Sequence, residues 1–137
     1  MTRFNIFLAE DNRGDVLLVQ EALAAHSISH ELFVVRDGGA ALQFVARMGT
    51  VGHPPCPDLM LLDLNLPKVD GPTILAEFRK RPECLQTPVV VISSSDASND
   101  RDRMNALGVA HYFRKPSDLE AYLQLGSVVK GLLEGTA

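Results

Sequence analysis

Two hydrophobic patterns alternate along the chain, and together they predict its secondary structure. Continuous apolar runs of strand length occur at residues 4–9, 31–35, 58–63, 89–92 and 109–114. The third run is apolar on consecutive positions, which is typical of a strand covered on both faces. The fourth, VVVI, is wholly β-branched and favours a strand most strongly. The pattern predicts five strands.

Between these runs, apolar residues recur at helical spacing. Val16, Val19 and Leu23 fall on one face of a helix, and later segments repeat this periodicity. Ser117 and Glu120 have the Ser-x-x-Glu spacing of a capping box, which predicts that a last helix begins there. The predicted helices cover residues 16–26, 41–48, 70–81, 98–107 and a segment from 117 onward.

Alternation of buried strands with helices is the signature of an α/β fold. Five βα units in a row predict a parallel sheet with helices on both faces and right-handed crossovers. The Gly- and Pro-rich stretch at 49–57 interrupts the pattern only as a loop. We therefore expect a single domain over residues 1–137.

Composition and charge narrow the function classes. Hydrophobic residues make up 46% and charged residues 22% of the chain, which is typical of a folded rather than a disordered protein. A net charge of −4 disfavours broad nucleic-acid binding, which needs clustered Lys and Arg. No apolar run approaches the roughly 20 residues of a membrane span, and the N-terminus lacks a signal-peptide pattern. We expect a cytoplasmic protein with neither a nucleic acid nor a membrane as partner.

The two cysteines, Cys56 and Cys84, both lie in Pro-containing loops. Their positions leave a disulfide open, although a core of this size does not need one.

Side chains suited to phosphoryl chemistry follow the predicted strands. Glu10 and Asp11 end the first strand, Asp63 ends the third, Ser93 ends the fourth, and Lys115 follows the fifth. In an open parallel sheet, ligands bind outside the carboxyl ends of the strands, so these groups converge on one edge. The alternative for each acid is an ordinary helix cap, which suits Asp11 better than Asp63.

Carboxylates so close together are costly unless positive charge neutralises them. A pocket of oxygens suits Mg²⁺, which uses one or two carboxylates, water and phosphate oxygens, and Lys115 adds a second positive charge. Such a site can stabilise a phosphoryl group in transfer, with a carboxylate as the nucleophile.

In this light the chain resembles the receiver domains of two-component response regulators, the CheY-like family. The resemblance lies in AEDN at 9–12, LLDLNLP at 61–67 followed by Asp70-Gly71, PVVVIS at 88–93 and YFRKP at 112–116. It spans nearly the whole chain. The long loop before the third strand and the Glu-Asp-Asn sequence also resemble stand-alone regulators of bacterial phytochrome-type histidine kinases.

The resemblance implies a flavodoxin-like (βα)5 three-layer sandwich with sheet order 2-1-3-4-5. It makes Asp63 the phosphoacceptor. It also implies that Mg²⁺ is bound by Asp11, Asp63 and the backbone carbonyl of Asn65, with Glu10 holding the ion through water.

Further roles follow from the same resemblance. Ser93 is the switch hydroxyl, with Ser94 beside it, and Tyr112 is the aromatic residue that moves with it. Lys115 pairs with a phosphoryl oxygen next to a cis peptide bond at Pro116. Ser93 stands where Thr is common, which keeps the hydroxyl but loses the methyl group that stiffens the rotamer.

The expected function is that of a stand-alone receiver, not an enzyme with substrates of its own. A sensor histidine kinase would phosphorylate Asp63, and the surface of the fourth helix, fifth strand and fifth helix (α4-β5-α5) would signal by protein contact or form a homodimer. Two alternatives stay open. One is a receiver-like module that is never phosphorylated. The other is a haloacid-dehalogenase-like phosphatase, which needs a second Asp where this chain has Asn65.

Overall fold

The computed structural model describes residues 3–53, 55–64, 66–94, 102 and 104–135. Its centre is a parallel five-stranded sheet in the order β2-β1-β3-β4-β5, which confirms the predicted fold class and strand order. The strands are β1 (Phe4–Ala9), β2 (His30–Val35), β3 (Leu59–Asp63), β4 (Val89–Ser93) and β5 (His111–Arg114).

Helices connect successive strands and cover both faces of the sheet. They are α1 (Arg13–Ala25), α2 (Gly38–Arg47), α3 (Gly71–Arg79) and α5 (Leu119–Gly135), with a short 3₁₀ helix at Pro82–Cys84. Residues 102 and 104–106 are helical and belong to the predicted fourth helix, labelled α4. Residue 107 is in a turn, and the rest of the predicted segment, 98–101 and 103, lies outside the described residues. Across the described residues, no helix is both long and apolar enough to span a bilayer.

The two faces of the sheet build two separate cores. Because side chains alternate along a strand, neighbouring residues of β1, β3 and β4 point to opposite faces, and all residues of β3 and β4 are buried. One core joins Phe7, Met60 and Val91 to α2 and α3; the other joins Leu8 and Leu61 to α1 and α5. Consecutive apolar residues in the sequence therefore reflect a strand that is covered twice.

Side-chain caps fix where the helices begin. Asn12, Asp37 and Asp70 each accept a hydrogen bond from the backbone N–H three residues on. The capping box predicted from Ser117 is wrong, because α5 begins at Leu119 and the Asp118 carboxylate accepts from the N–H of Ala121 at 2.8 Å. An acid directly before the first helical residue takes the capping role.

Helices α1 and α5 pack against each other with their backbones in close approach. A Cβ atom added at Gly126 of α5 would lie 2.2 Å from the carbonyl oxygen of Ala22 in α1. Only a residue without a side chain fits at this crossing. The pair of helices forms the layer on one face of the sheet.

The amino-terminal side of β4 is fastened by a disulfide and by one arginine. Cys56, in the loop before β3, is bonded to Cys84, with 5.6 Å between their Cα atoms, so the disulfide that the sequence left open is present. The Arg79 guanidinium donates hydrogen bonds to five backbone carbonyls around this end of β4 and the end of α4, those of Cys84, Leu85, Thr87, Leu107 and Gly108.

Candidate functional site

The sheet brings the predicted acids together at its carboxyl edge. Glu10 directly follows β1 and Asp63 ends β3, and these strands are neighbours. The backbone N–H of Glu10 donates to Val35 at 3.0 Å, and that of Lys115 donates to Ser93 at 2.7 Å. These bonds extend the strand pairing by one residue, so the side chains of Glu10 and Lys115 leave an ordered part of the backbone.

Lys115 is the centre of the charged cluster. Its Nζ lies 2.9 Å from Asp15 Oδ2, 3.0 Å from Glu10 Oε2 and 3.2 Å from Asp63 Oδ2. An ammonium group has three N–H donors, so the number of carboxylates matches the number of protons that it can share. The Lys115 side chain is only 13% exposed, which makes these interactions stronger than those of a surface ion pair.

Asp15 is a member of this cluster that the sequence did not reveal. From sequence it is an acid at the start of α1, which is explained as a favourable charge at a helix N-terminus. In the structure its Oδ1 accepts a hydrogen bond from the Tyr122 hydroxyl at 3.2 Å, while its Oδ2 pairs with Lys115. No local signal in the sequence could have found it, because Asp11, four residues earlier, precedes the cap Asn12 and lies outside α1.

Burial and charge shift the proton affinities of the cluster. Burial, followed by contact with Asp63, raises the pKa of Glu10 to about 7. Burial alone would lower the pKa of Lys115, but its bonds to Asp15 and Glu10 raise it above its ordinary value. Burial and the neighbouring Asp15 raise the pKa of Tyr122, so its hydroxyl remains a proton donor. The ammonium is therefore held charged among the acids.

The donor set fits a hard divalent cation. Carboxylate oxygens of Glu10, Asp11 and Asp63 all lie within 4.8 Å of one another. Glu10 and Asp63 are buried, and Asp11 is exposed at the rim. The oxygen Oε2 of Glu10 is buried, and the group that it contacts is the Lys115 ammonium, at 3.0 Å. A site lined by three carboxylates suits a hard cation such as Mg²⁺ or Mn²⁺.

A cleft of about 430 Å³ opens over this cluster. The residues that line it are Glu10, Asp11, Asn12, Asp15, Asp63, Ser94 and Lys115. The cleft therefore gives a small anionic group access to the Asp63 carboxylate from solvent.

Of the remaining predicted site residues, the structure describes Ser93, Ser94, Tyr112 and Pro116. Ser93 is buried at the end of β4, and Ser94 is exposed beside Lys115. Tyr112 lies in β5 opposite Val91 and is half-buried against the core beneath α2 and α3, outside the cleft lining. Asn65, predicted to offer its backbone carbonyl to the metal, lies outside the described residues.

The predicted cis peptide bond before Pro116 is wrong. The peptide bonds of the described residues, including Lys115-Pro116, are all trans. Trans is favoured by about 0.5–1 kcal/mol even before proline. Here Lys115 reaches all three carboxylates with a trans bond, so the geometry of the ammonium does not require the rarer isomer.

The comparison with protein families supplies the identification. The family model described as "response regulator receiver domain" matches residues 6–125, which is most of the chain. This chain belongs to the response regulator receiver family. The resemblance drawn from the strand-end motifs is thereby confirmed.

Several known proteins are similar to this chain over nearly its whole length. The response regulator Rcp1 of Synechocystis sp. is 41% identical over 127 residues, which cover 93% of this chain and 84% of Rcp1. The structure of the phosphorylated cyanobacterial phytochrome response regulator RcpA is 39% identical, with a TM-score of 0.86 over 99% of this chain and 97% of RcpA. The Mn²⁺-bound form of Rcp1 is 38% identical, with a TM-score of 0.81 and coverage of 93% and 92%.

Proposed function

We propose that this receiver accepts one phosphoryl group on Asp63 in a reaction that depends on a divalent cation. The observation that carries the proposal is the position of Lys115, whose Nζ is 3.2 Å from Asp63 Oδ2 in a cleft that also holds Glu10 and Asp11. A nucleophilic carboxylate, a cation site and a fixed ammonium are the parts that phosphoryl transfer to an aspartate requires.

Asp11 and Asp63 would bind Mg²⁺ directly, together with the carbonyl of Asn65, and Glu10 would hold it through water. When bound, the ion neutralises charge on the transferring phosphoryl group. A structure of the similar protein Rcp1 with Mn²⁺ bound supports this assignment.

The residues of the chain carry the remaining steps. An Asp63 carboxylate oxygen attacks the phosphorus of a phosphohistidine; the new O–P bond forms as the P–N bond breaks, and the histidine leaves with the bonding pair. Lys115 donates to a phosphoryl oxygen, and because its ammonium is already fixed by carboxylates, little reorganisation is needed at that moment. Water later attacks the acyl phosphate; the O–P bond to Asp63 breaks, inorganic phosphate leaves, and the Asp63 carboxylate is restored.

The phosphoryl oxygens offer new hydrogen-bond acceptors to the end of β4. Ser93, with Ser94 beside it, would donate to one of them, and Tyr112 of β5 would follow into the vacated space. The α4-β5-α5 surface then changes, and the protein signals or forms a homodimer through it. The size of this population shift is set by how much better the active state binds the phosphoryl group.

The donor that we propose is a sensor histidine kinase of the phytochrome type. The support is similarity to RcpA, a cyanobacterial phytochrome response regulator, at 39% identity. The protein would act in the cytoplasm as a single receiver domain, without a nucleic acid or membrane partner.

Incubation with acetyl phosphate and Mg²⁺, followed by intact-mass measurement, tests the proposal. We expect one added phosphoryl group in the wild type and in Asp58→Asn, and none in Asp63→Asn or in EDTA. Asp58 is a matched control because it precedes the same strand at the opposite edge of the sheet, where it accepts from the N–H of Asn5. Continuous hydrolysis without a modified protein would indicate a phosphatase. Absence of any reaction would indicate a phosphorylation-independent module.

A further inference from the structure

We infer that Asp15 is a positioning residue for phosphoryl transfer, which holds Lys115 beside Asp63 and, through the Tyr122 hydroxyl, connects the site to α5. The inference rests on the proposed function of Asp63 and Lys115. It assigns a role to a carboxylate and a buried phenol that metal binding and phosphorylation do not themselves use.

The three carboxylates that contact Lys115 differ in whether they can also bind a cation. Glu10 and Asp63 belong to the group whose oxygens cluster closely enough for one cation, together with Asp11; Asp15 does not. A bound cation and a phosphoryl group would both compete with the ammonium for Glu10 and Asp63. Asp15, at 2.9 Å, is the partner that those ligands leave to Lys115.

Holding the Lys115 side chain in one conformation costs conformational entropy. Its side chain has four rotatable bonds, and each must be fixed for Nζ to point at Asp63. Asp15 is placed by the first turn of α1, where the helix N-terminus also favours a negative charge. A rigid element therefore supplies the anchor, and the ammonium is ordered before any phosphodonor arrives.

The second carboxylate oxygen of Asp15 connects the site to α5. Oδ1 accepts from the Tyr122 hydroxyl at 3.2 Å, and Tyr122 is 2% exposed. The Tyr122 ring packs edge-on against Phe113 of β5, with 5.9 Å between ring centroids. A continuous line of contacts thus runs from Asp63 through Lys115 and Asp15 into α5, on the face of the sheet opposite to Tyr112.

A purely structural reading is that Asp15 serves only to satisfy a buried phenol. The two readings differ in one respect. If Asp15 acts through Lys115, replacing it has no further effect once the ammonium is gone. A double-mutant cycle measures this coupling directly.

The kinetic test is the rate of phosphorylation by acetyl phosphate at saturating Mg²⁺ in Asp15→Asn, Lys115→Ala and the double variant. We expect Asp15→Asn to lower the phosphorylation rate of the wild type about tenfold, which is the effect expected for losing one charge-assisted hydrogen bond. In the Lys115→Ala background, the same substitution should change the rate by no more than about twofold. Tyr122→Phe, which removes only the hydroxyl, should slow the reaction about threefold. Glu21→Gln, an exposed acid on α1, is the matched control and should react as the wild type does.

A second readout needs no phosphorylation. In the Mg²⁺-saturated protein at low temperature, where the cation competes for Glu10 and Asp63, the ¹H–¹⁵N signal of the Lys115 ammonium, identified by its loss in Lys115→Ala, should be present in the wild type and Glu21→Gln and absent in Asp15→Asn. A retained signal in Asp15→Asn, or a slowing by Asp15→Asn that is as large without Lys115 as with it, overturns the inference. A lost signal together with a wild type that is never phosphorylated refutes the proposed function while leaving Asp15 as the anchor of Lys115.

Discussion

The ammonium nitrogen of Lys115 lies 3.2 Å from Oδ2 of Asp63, although 52 residues separate them in the chain. Two strand ends, those of β3 and β5, bring them together across β4. Lys115 is thus the counter-charge that makes a pocket of acids compatible with a folded protein.

Lys115→Met should therefore destabilise the metal-free protein. Three carboxylates would lose their shared cation, and the expected loss in the free energy of unfolding at pH 8 is about 2 kcal/mol, part of the cost being relieved by proton uptake. Urea denaturation in EDTA measures it, and added Mg²⁺ should restore much of the loss. Lys80→Met, which removes an exposed ion pair with Glu77, should change the stability by less than about 1 kcal/mol. Equal effects of the two substitutions would contradict this interpretation.

Glu10 makes the stability of the metal-free protein depend on pH. Its pKa is raised to about 7 in the folded state, above that of an unfolded glutamate, so the folded state binds more protons between these values. The contribution of Glu10 to stability is therefore present at low pH and is lost as pH rises through 7. We expect Glu10→Gln to raise the free energy of unfolding by about 2 kcal/mol at pH 8 in EDTA and by much less at pH 5. A gain of the same size at both pH values would count against a protonated Glu10.

The same group should couple cation binding to pH. Protons and the divalent cation compete for Glu10 oxygens, so the affinity for Mg²⁺ should weaken as pH falls below 7. Titration calorimetry at pH 6 and pH 8 checks this, and the difference between the two pH values should shrink in Glu10→Gln. An affinity for Mg²⁺ that varies equally with pH in both proteins would assign the effect to another group.

The crossing of α1 and α5 gives a prediction about packing. Gly126→Ala places a Cβ 2.2 Å from the carbonyl oxygen of Ala22, so the helices must separate, at a cost of about 2 kcal/mol or more. Gly131→Ala, in the same helix, meets nothing within 4 Å and should instead stabilise the protein by up to about 1 kcal/mol, because alanine is the better helix former. The midpoints of thermal unfolding of the two variants should shift in opposite directions. A shift in the same direction would show that the close approach of α1 and α5 does not determine the effect of Gly126→Ala.

The disulfide gives a prediction about redox conditions. Cys56 and Cys84 are 28 residues apart, and a loop of that length lowers the entropy of the unfolded chain enough for about 3–4 kcal/mol of stabilisation. Cys56→Ser should lower the free energy of unfolding by roughly this amount in oxidising buffer. With dithiothreitol, the variant and the wild type should become nearly equal. A deficit in Cys56→Ser that persists in the reducing buffer would instead reflect lost packing.

Much of this architecture could be predicted because it follows from local pattern. Consecutive apolar residues are required where a strand is covered on both faces, so the limits of β1, 4–9, matched the apolar run. The gathering of Glu10, Asp63 and Lys115 follows from parallel strands alone, since their carboxyl ends share one edge.

The features that sequence reasoning missed depend on contacts between distant elements. Asp15 pairs with Lys115 across 100 positions, and nothing near it in the chain marks it apart from an ordinary acid in a first turn. Two adjacent residues, Ser117 and Asp118, could each cap α5, and the Ser-x-x-Glu spacing does not indicate which of them does. Whether Cys56 meets Cys84 depends on where a Pro-rich loop lies, and loop paths carry no periodic signal.

The cleft over Asp63 has a further consequence for the order of events. Glu10, Asp11, Asp15, Asp63 and Lys115 together carry a formal charge of −3 when all are ionised. A phosphodonor is itself an anion, so under the proposed function the bare site would repel it and a dication would have to enter first. Loading would then be sequential, and the level of free divalent ion would limit how fast Asp63 can be phosphorylated.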